Sequence, residues 1–238
     1  MRTPARDTPT APRVGLPYLC GAVGGPLFVI AFLIEGATRA DYDPMRHPVS
    51  SLALGPSGWT QVANFVVTGL LMLVFAVGLR RDLLAPERRS TWGPLLIGLY
   101  AIGLIGAGVF PTDPVSGYPP GSPALGESSW QGRLHDFPFS LLVFAALTAA
   151  CFVFARRFAG WGEPGWAVYS GISGLVFIGA FVLAGVGFSQ TEGFVDLGGL
   201  FQRISITVGF VWVSLLAVHL MRTPPGSVPA RPSTATGL

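Results

Sequence analysis

Apolar runs of about twenty residues recur along this chain, and three of them end in arginine, at Arg80 and Arg81, at Arg156 and Arg157, and at Arg222. Each of these three opens 22–24 residues earlier on a glycine followed by polar residues: Gly58, Gly132 and Gly199. A nearly uncharged stretch of that length crosses a bilayer as a helix. The pattern predicts six spans, at 16–35, 59–79, 92–110, 135–155, 167–188 and 200–221. The expected fold class is all-α: a polytopic membrane protein with six transmembrane helices in one domain over 16–222. Polar, Pro-rich tails at 1–15 and 223–238 are expected to be disordered.

Arginine fixes the expected orientation. With the N-terminus inside, the inner segments hold eleven arginines, and the outer side holds four, Arg39, Arg46, Arg133 and Arg203. This bias places both termini in the cytoplasm of a multi-pass cell-membrane protein. The chain reads as three hairpins with loops outside, at 36–58, 111–134 and 189–199. Long connections in compact proteins are often functional.

Composition agrees. Half of the residues are hydrophobic and 11% are charged, against about 25% in soluble domains. The net charge of +3 does not indicate nucleic acid, because topology accounts for the arginines. Cys20 and Cys151 fall inside spans, so neither a disulfide framework nor a paired-Cys zinc motif is expected. Gly21 and Gly25, and Ala180 and Ala184, have the spacing of close helix packing.

Polar residues collect toward the outer side. The first loop packs Asp41, Asp43, Arg46, His47, Ser50 and Ser51 into eleven residues. Pro48 suits the start of a short helix and Gly55 its end, with Val49, Leu52 and Ala53 toward lipid. The second loop, stiffened by five prolines between 111 and 123, would serve as a lid. Span one ends in Glu35. Spans two, four and six open on Gln61, Asn64 and Thr68, on His135, Asp136 and Ser140, and on Gln202, Arg203, Ser205 and Thr207. Ionisable groups near a membrane usually face the bundle interior and mark function. These residues predict an outward-open polar cavity in the outer leaflet.

Three readings follow. In the first, the cavity binds a membrane lipid headgroup or small amphiphilic molecule. Glu35, Arg46, Gln61, Asn64, Gln202 and Arg203 would line the site, with Arg46, Arg203 and the amides holding the polar end. In the second, the protein is a metal-assisted hydrolase. His47, Asp113 and His135 would hold a divalent transition metal such as zinc, Asp41 or Asp43 would act as general base, and Ser50 or Ser51 would position water or substrate. The third is a transporter, disfavoured by the apolar middles of the spans. No haem is expected, because His219 lies at the opposite end from His47 and His135. No nucleotide site is expected, because GxxxxGK[ST] is absent. Nothing in the pattern specifies an oligomeric state.

Three stretches, DYDPMRHPVSSLALGPSGWTQVANF, GVFPTDPVSGYPPG and LHDFPFSLLVFAALTAACFVFARRF, resemble a bacterial integral membrane family catalogued as domain of unknown function 998. The most specific part is HPVSSLALG, followed by FPTDP and the His that heads span four. The resemblance covers residues 16 to 222 and implies a six-span membrane protein. It assigns no activity, so the site residues above rest on the chain's own pattern.

Overall fold

The structure, a computed structural model, describes residues 15–84 and 89–223. The tails expected at 1–15 and 223–238 lie outside them, apart from Gly15 and Thr223. Six helices are long and apolar enough to cross a membrane: α1 (Leu16–Thr38), α2 (Trp59–Asp82), α3 (Trp92–Val109), α4 (Trp130–Gly160), α5 (Pro164–Phe188) and α6 (Gly198–Arg222). No strand occurs among the described residues. All but α3 outrun the apolar runs by a few residues. α4 differs most, starting at Trp130 rather than 135.

Each helix packs against the next, and α6 returns to α1, so the six form an up-and-down ring. Glycines set the spacing. A Cβ on Gly21 would lie 2.6 Å from the ring of Phe75 on α2, and one on Gly25 would lie 2.4 Å from Ser214 Oγ on α6. Two glycines four apart thus serve two different neighbours, the way small residues let helix backbones approach in lipid. Aliphatic side chains such as Ile30, Leu70, Ile102 and Leu175 point outward and are exposed. Trp59 and Trp130 at one end, and Trp92 at the other, are 60–70% exposed, as suits an aromatic belt at each membrane interface.

The connection between α1 and α2 and that between α3 and α4 lie at one end of the ring, called here the long-loop end. Within the first connection, Val49–Ala53 forms a five-residue 3₁₀ helix, preceded by Pro48. Gly55, at φ +76°, supplies the left-handed turn after it. Val49 and Leu52, expected toward lipid, are fully buried instead. The 3₁₀ helix packs against α1, α2 and α6, so it plugs the mouth of the ring and turns its apolar residues into the core.

Candidate functional site

One aromatic ring from every helix surrounds a small chamber inside the bundle: Phe28, Phe65, Tyr100, Phe144, Phe177 and Phe210. Several of the rings touch, with centroids 5.1 Å apart for Phe28 and Phe65, 4.7 Å for Phe28 and Phe210, 5.8 Å for Tyr100 and Phe210, and 5.2 Å for Phe144 and Phe177. The chamber has about 40 Å³ of free space, enough for roughly three waters. Toward the long-loop end it meets a larger cleft of about 340 Å³. Ser50, His135, Ser140, Phe144 and Gln202 line both spaces and form the neck between them.

The neck owes its shape to an irregular stretch of α4. Residues His135–Ser140 wind as a π-helix, with Pro138 inside it. A proline cannot donate to the ladder, and the wider π turn brings residues five apart onto one face. His135 and Ser140 accordingly both face the neck. Phe139, between them, lies against Gly106 of α3, where a Cβ would come within 2.0 Å of its ring.

His135 is 3% exposed. Its Nδ1 lies 2.9 Å from the carbonyl oxygens of both Ala107 and Phe110 at the end of α3. Two acceptors require a donor, so the neutral ring carries its proton on Nδ1. Nε2 is then a lone-pair nitrogen, and it makes no hydrogen bond among the described residues. Gln202 is fixed in a similar way. Its Oε1 accepts from the Val49 N–H at 2.7 Å, which leaves its NH₂ for the cavity. Tyr100, 2% exposed, lines the chamber floor with its hydroxyl unbonded among the described residues.

The second long connection roofs the cleft with Asp113, Pro114, Val115, Leu125, Gly126 and Ser128. Phe144, Phe181, Gly185 and Phe188 form a wall where α4 faces α5. Asp136 is exposed to the cleft. Asp113 is committed structurally: its Oδ2 accepts from the Ser129 N–H at 2.8 Å, beside the start of α4, while Ser129 Oγ accepts from Gly132 N–H at 3.0 Å. The carboxylate and the hydroxyl cap a helix N-terminus.

The remaining first-loop residues build a clasp over the ring. Arg203 on α6 donates to the carbonyls of His47 and Gly199, each at 3.0 Å, and to the Tyr42 hydroxyl. Tyr42 in turn donates to the Pro48 carbonyl at 2.9 Å. Burial pushes the Tyr42 phenol up to about 12, with Arg203 opposing, so it stays protonated. Gly199 is obligatory here, because a Cβ would sit 2.6 Å from the carbonyls of both Pro44 and His47.

His47 joins the loops. Nδ1 accepts from the Asp43 N–H at 2.9 Å, and the ring lies against Tyr118 of the second connection, centroids 5.1 Å apart. Burial holds its pKa below the usual imidazole value, Asp43 opposing and Arg46 assisting. Gln190 Nε2 of the third connection donates to Ser116 Oγ at 3.0 Å. Ser116, itself in the left-handed region at φ +58°, therefore ties the second connection to the third.

The sequence-predicted residues thus fall into separate groups. Ser50, Asp113, His135 and Gln202 line the cleft. His47 and Arg203 belong to the clasp, and Arg46 pairs with Asp196 at 3.1 Å. Asp41 and Asp43 are exposed, and Asp43 Oδ1 accepts from the Met45 N–H at 2.9 Å. Glu35 pairs with Arg39 at 3.2 Å, and Arg39 also donates to the carbonyls of Leu54 and Ser57. Gln61 and Asn64 are buried on α2, with Asn64 donating to the Phe28 carbonyl at 3.2 Å and to Gln61 at 3.1 Å. Ser51 Oγ, Gln61 Nε2, Asn64 Oδ1 and Thr68 Oγ1 are buried without a partner among the described residues. Far away, His219 pairs with Glu163 and stacks on Trp166.

His47, Asp113 and His135 do not meet as a ligand set. Among the described residues, no three His, Cys, Asp or Glu side chains are placed to hold a metal ion. His47 Nδ1 is bonded to the Asp43 N–H, and Asp113 is turned to the start of α4. The general-base candidates Asp41 and Asp43 do not line the cleft, and neither does Ser51. Asp136, Ser140 and Tyr100 complete the lining, but Tyr100 stands in an apolar run that carries no polar signal.

Fold and site together define a multi-pass membrane protein with six spans and a cleft at one end. The family model described as protein of unknown function (DUF998) matches residues 22–219, and the chain belongs to that family. No curated protein and no solved structure matches the chain.

Proposed function

We propose that the protein binds an amphiphile from the outer leaflet, with the polar end at the neck and the tail leaving through the cleft between α4 and α5. The observation that carries this reading is the joining of an aromatic chamber to a wider cleft through a neck whose polar groups are oriented by backbone. The chamber is too small for an alkyl tail, so the small polar end enters and the tail lies along Phe144, Phe181 and Phe188. The arginine bias supports a long-loop end that faces outward. Pre-formed, mostly apolar pockets with a few convergent polar groups are the usual form of small-molecule sites.

Support for a metal-assisted hydrolase is weaker, because its three ligands are scattered. Support for an ion-coupled transporter is also weaker, because the span centres hold no charge.

Gly185 offers a clean test. It lines the cleft, and a Cβ there meets nothing within 4 Å. Gly185→Trp should fill the cleft and leave the fold intact. Mass spectrometry of lipids co-purified in a nonionic detergent is expected to show an amphiphile held by the wild type and lost from the variant. Identical lipid profiles from two equally folded proteins would reject the reading.

A further inference from the structure

The chemistry of the cleft selects one kind of polar end. Its lining contains two carboxylates, Asp113 and Asp136, and no arginine; the chain has no lysine. None of the arginines at this end lines either space. Arg203 is spent on carbonyls and Tyr42, Arg46 on Asp196, and Arg39 on Glu35 and two carbonyls. Arg133 lies in a different groove, with Trp130 and Phe137 on the outer face of α4.

Helix ends add to the same sign. α3 and α5 finish at this end, and Ala107 near the end of one, with Gly185 and Phe188 at the end of the other, line the two spaces. Helix C-termini carry partial negative charge. The N-terminus of α4, which would favour an anion, is already served by Asp113 and Ser129. The first turn of α6 is covered by the loop, with the Leu200 N–H donating to Met45 at 2.9 Å.

A buried acceptor and a set of aromatic rings then favour a cationic donor. His135 presents a lone pair at Nε2, and its ring is nearly inaccessible from anywhere but the neck. Six aromatic rings lie just beneath it. Aromatic faces attract cations through the ring quadrupole, and more strongly when desolvated. A phosphate at this neck would meet a lone pair, a carboxylate and π faces, with only the neutral Gln202 amide and two hydroxyls to donate to it. A quaternary ammonium would satisfy the rings and leave His135 without a proton to accept.

We infer that the amphiphile is a primary amine: its ammonium donates to His135 Nε2, with the Ser50 and Ser140 hydroxyls as further acceptors, above the aromatic chamber and in the field of Asp136. The Gln202 NH₂ is left to donate to an oxygen carried next to the amine. This rests on the binding reading above and gives it a substrate class.

The test uses the full chain in nonionic detergent at about pH 8, where an alkylamine is charged. Dodecylamine, dodecyltrimethylammonium, dodecanol and dodecyl phosphate compete pairwise, with occupancy read by native mass spectrometry. Dodecylamine is expected to bind at least about tenfold better than the other three, a preference of about 1.4 kcal/mol. Asp136→Asn and His135→Gln should each cut that preference several-fold. Asp136 is exposed at the cleft, so its variant keeps the test decisive if the His135 variant fails to fold. Equal binding of all four probes, or preference for the phosphate, would overturn the amine assignment while leaving an amphiphile site in place. If no probe binds, or if Gly185→Trp binds each probe as the wild type does, the binding reading itself falls.

Discussion

The guanidinium of Arg203 donates to the carbonyl of His47 at 3.0 Å, joining residues 156 positions apart. It also reaches the Gly199 carbonyl and the Tyr42 hydroxyl, and lies over the rings of Phe32 and Tyr42. One planar fork therefore satisfies three oxygens from two segments. Lysine has no such reach. Hydrogen bonds to a charged group contribute about 1.5–3 kcal/mol, so Arg203→Lys should lower the stability by about 2–3 kcal/mol. Limited proteolysis would show new cleavage in residues 40–48 with the helices intact. Wild-type protection of that loop in Arg203→Lys would rule out the clasp.

His47 makes the clasp pH-dependent. The neutral ring accepts from the Asp43 N–H, whereas protonation would set a donor against that donor. Its pKa is lowered, chiefly by burial, with Asp43 favouring the charge and Arg46 and Arg203 opposing it; Tyr42 and Tyr118 are the other polar rings against it. A His with a depressed pKa is protonated more readily when unfolded. Its stabilising contribution is complete above the unfolded value of about 6.5 and is lost as pH falls from there toward the folded value. Thermal unfolding midpoints in detergent should fall between about pH 7 and pH 5, and by less in His47→Gln. Parallel pH curves for the two proteins would exclude His47 as the source.

The start of α4 depends on a glycine and a carboxylate in contact. A Cβ on Gly132 would come within 1.9 Å of Asp113 Oδ2, so Gly132→Ala must displace the carboxylate from the Ser129 N–H. The expected cost is about 1–2 kcal/mol, the usual value of a lost cap. Asp113→Ala should cost a similar amount, and the double variant should cost little more than either. Additive losses in a thermal-unfolding cycle would show that the two residues act independently. Had Asp113 been a metal ligand, its replacement would leave the helix start unchanged.

Span number and fold class were legible because twenty apolar residues in a row have few alternatives in a bilayer. The short helix after Pro48 was legible from its proline and glycine, but its direction was not. Val49 and Leu52 suit lipid and core equally, and only the 3₁₀ helix lying across the ring decides between them. The outer polar residues announced themselves as a group, yet the group divides. His47, Arg203 and Asp113 bond mainly to backbone, and a sequence does not display carbonyl positions. Tyr100 and Phe144 escaped notice because an aromatic ring in an apolar span carries the same signal whether it faces lipid, a neighbour or a cavity.

The seam between α1 and α6, set by Gly25 against Ser214, gives the ring no natural first member. Gly15 and Thr223 stand at the same end of neighbouring helices, so a short peptide joining them would leave every helix with both of its partners. The chain would then open between Gly160 and Pro164, and α5 would lead into the membrane from the side that α1 uses now. The architecture is a cycle, and the present order of its helices is one of several compatible with the same packing.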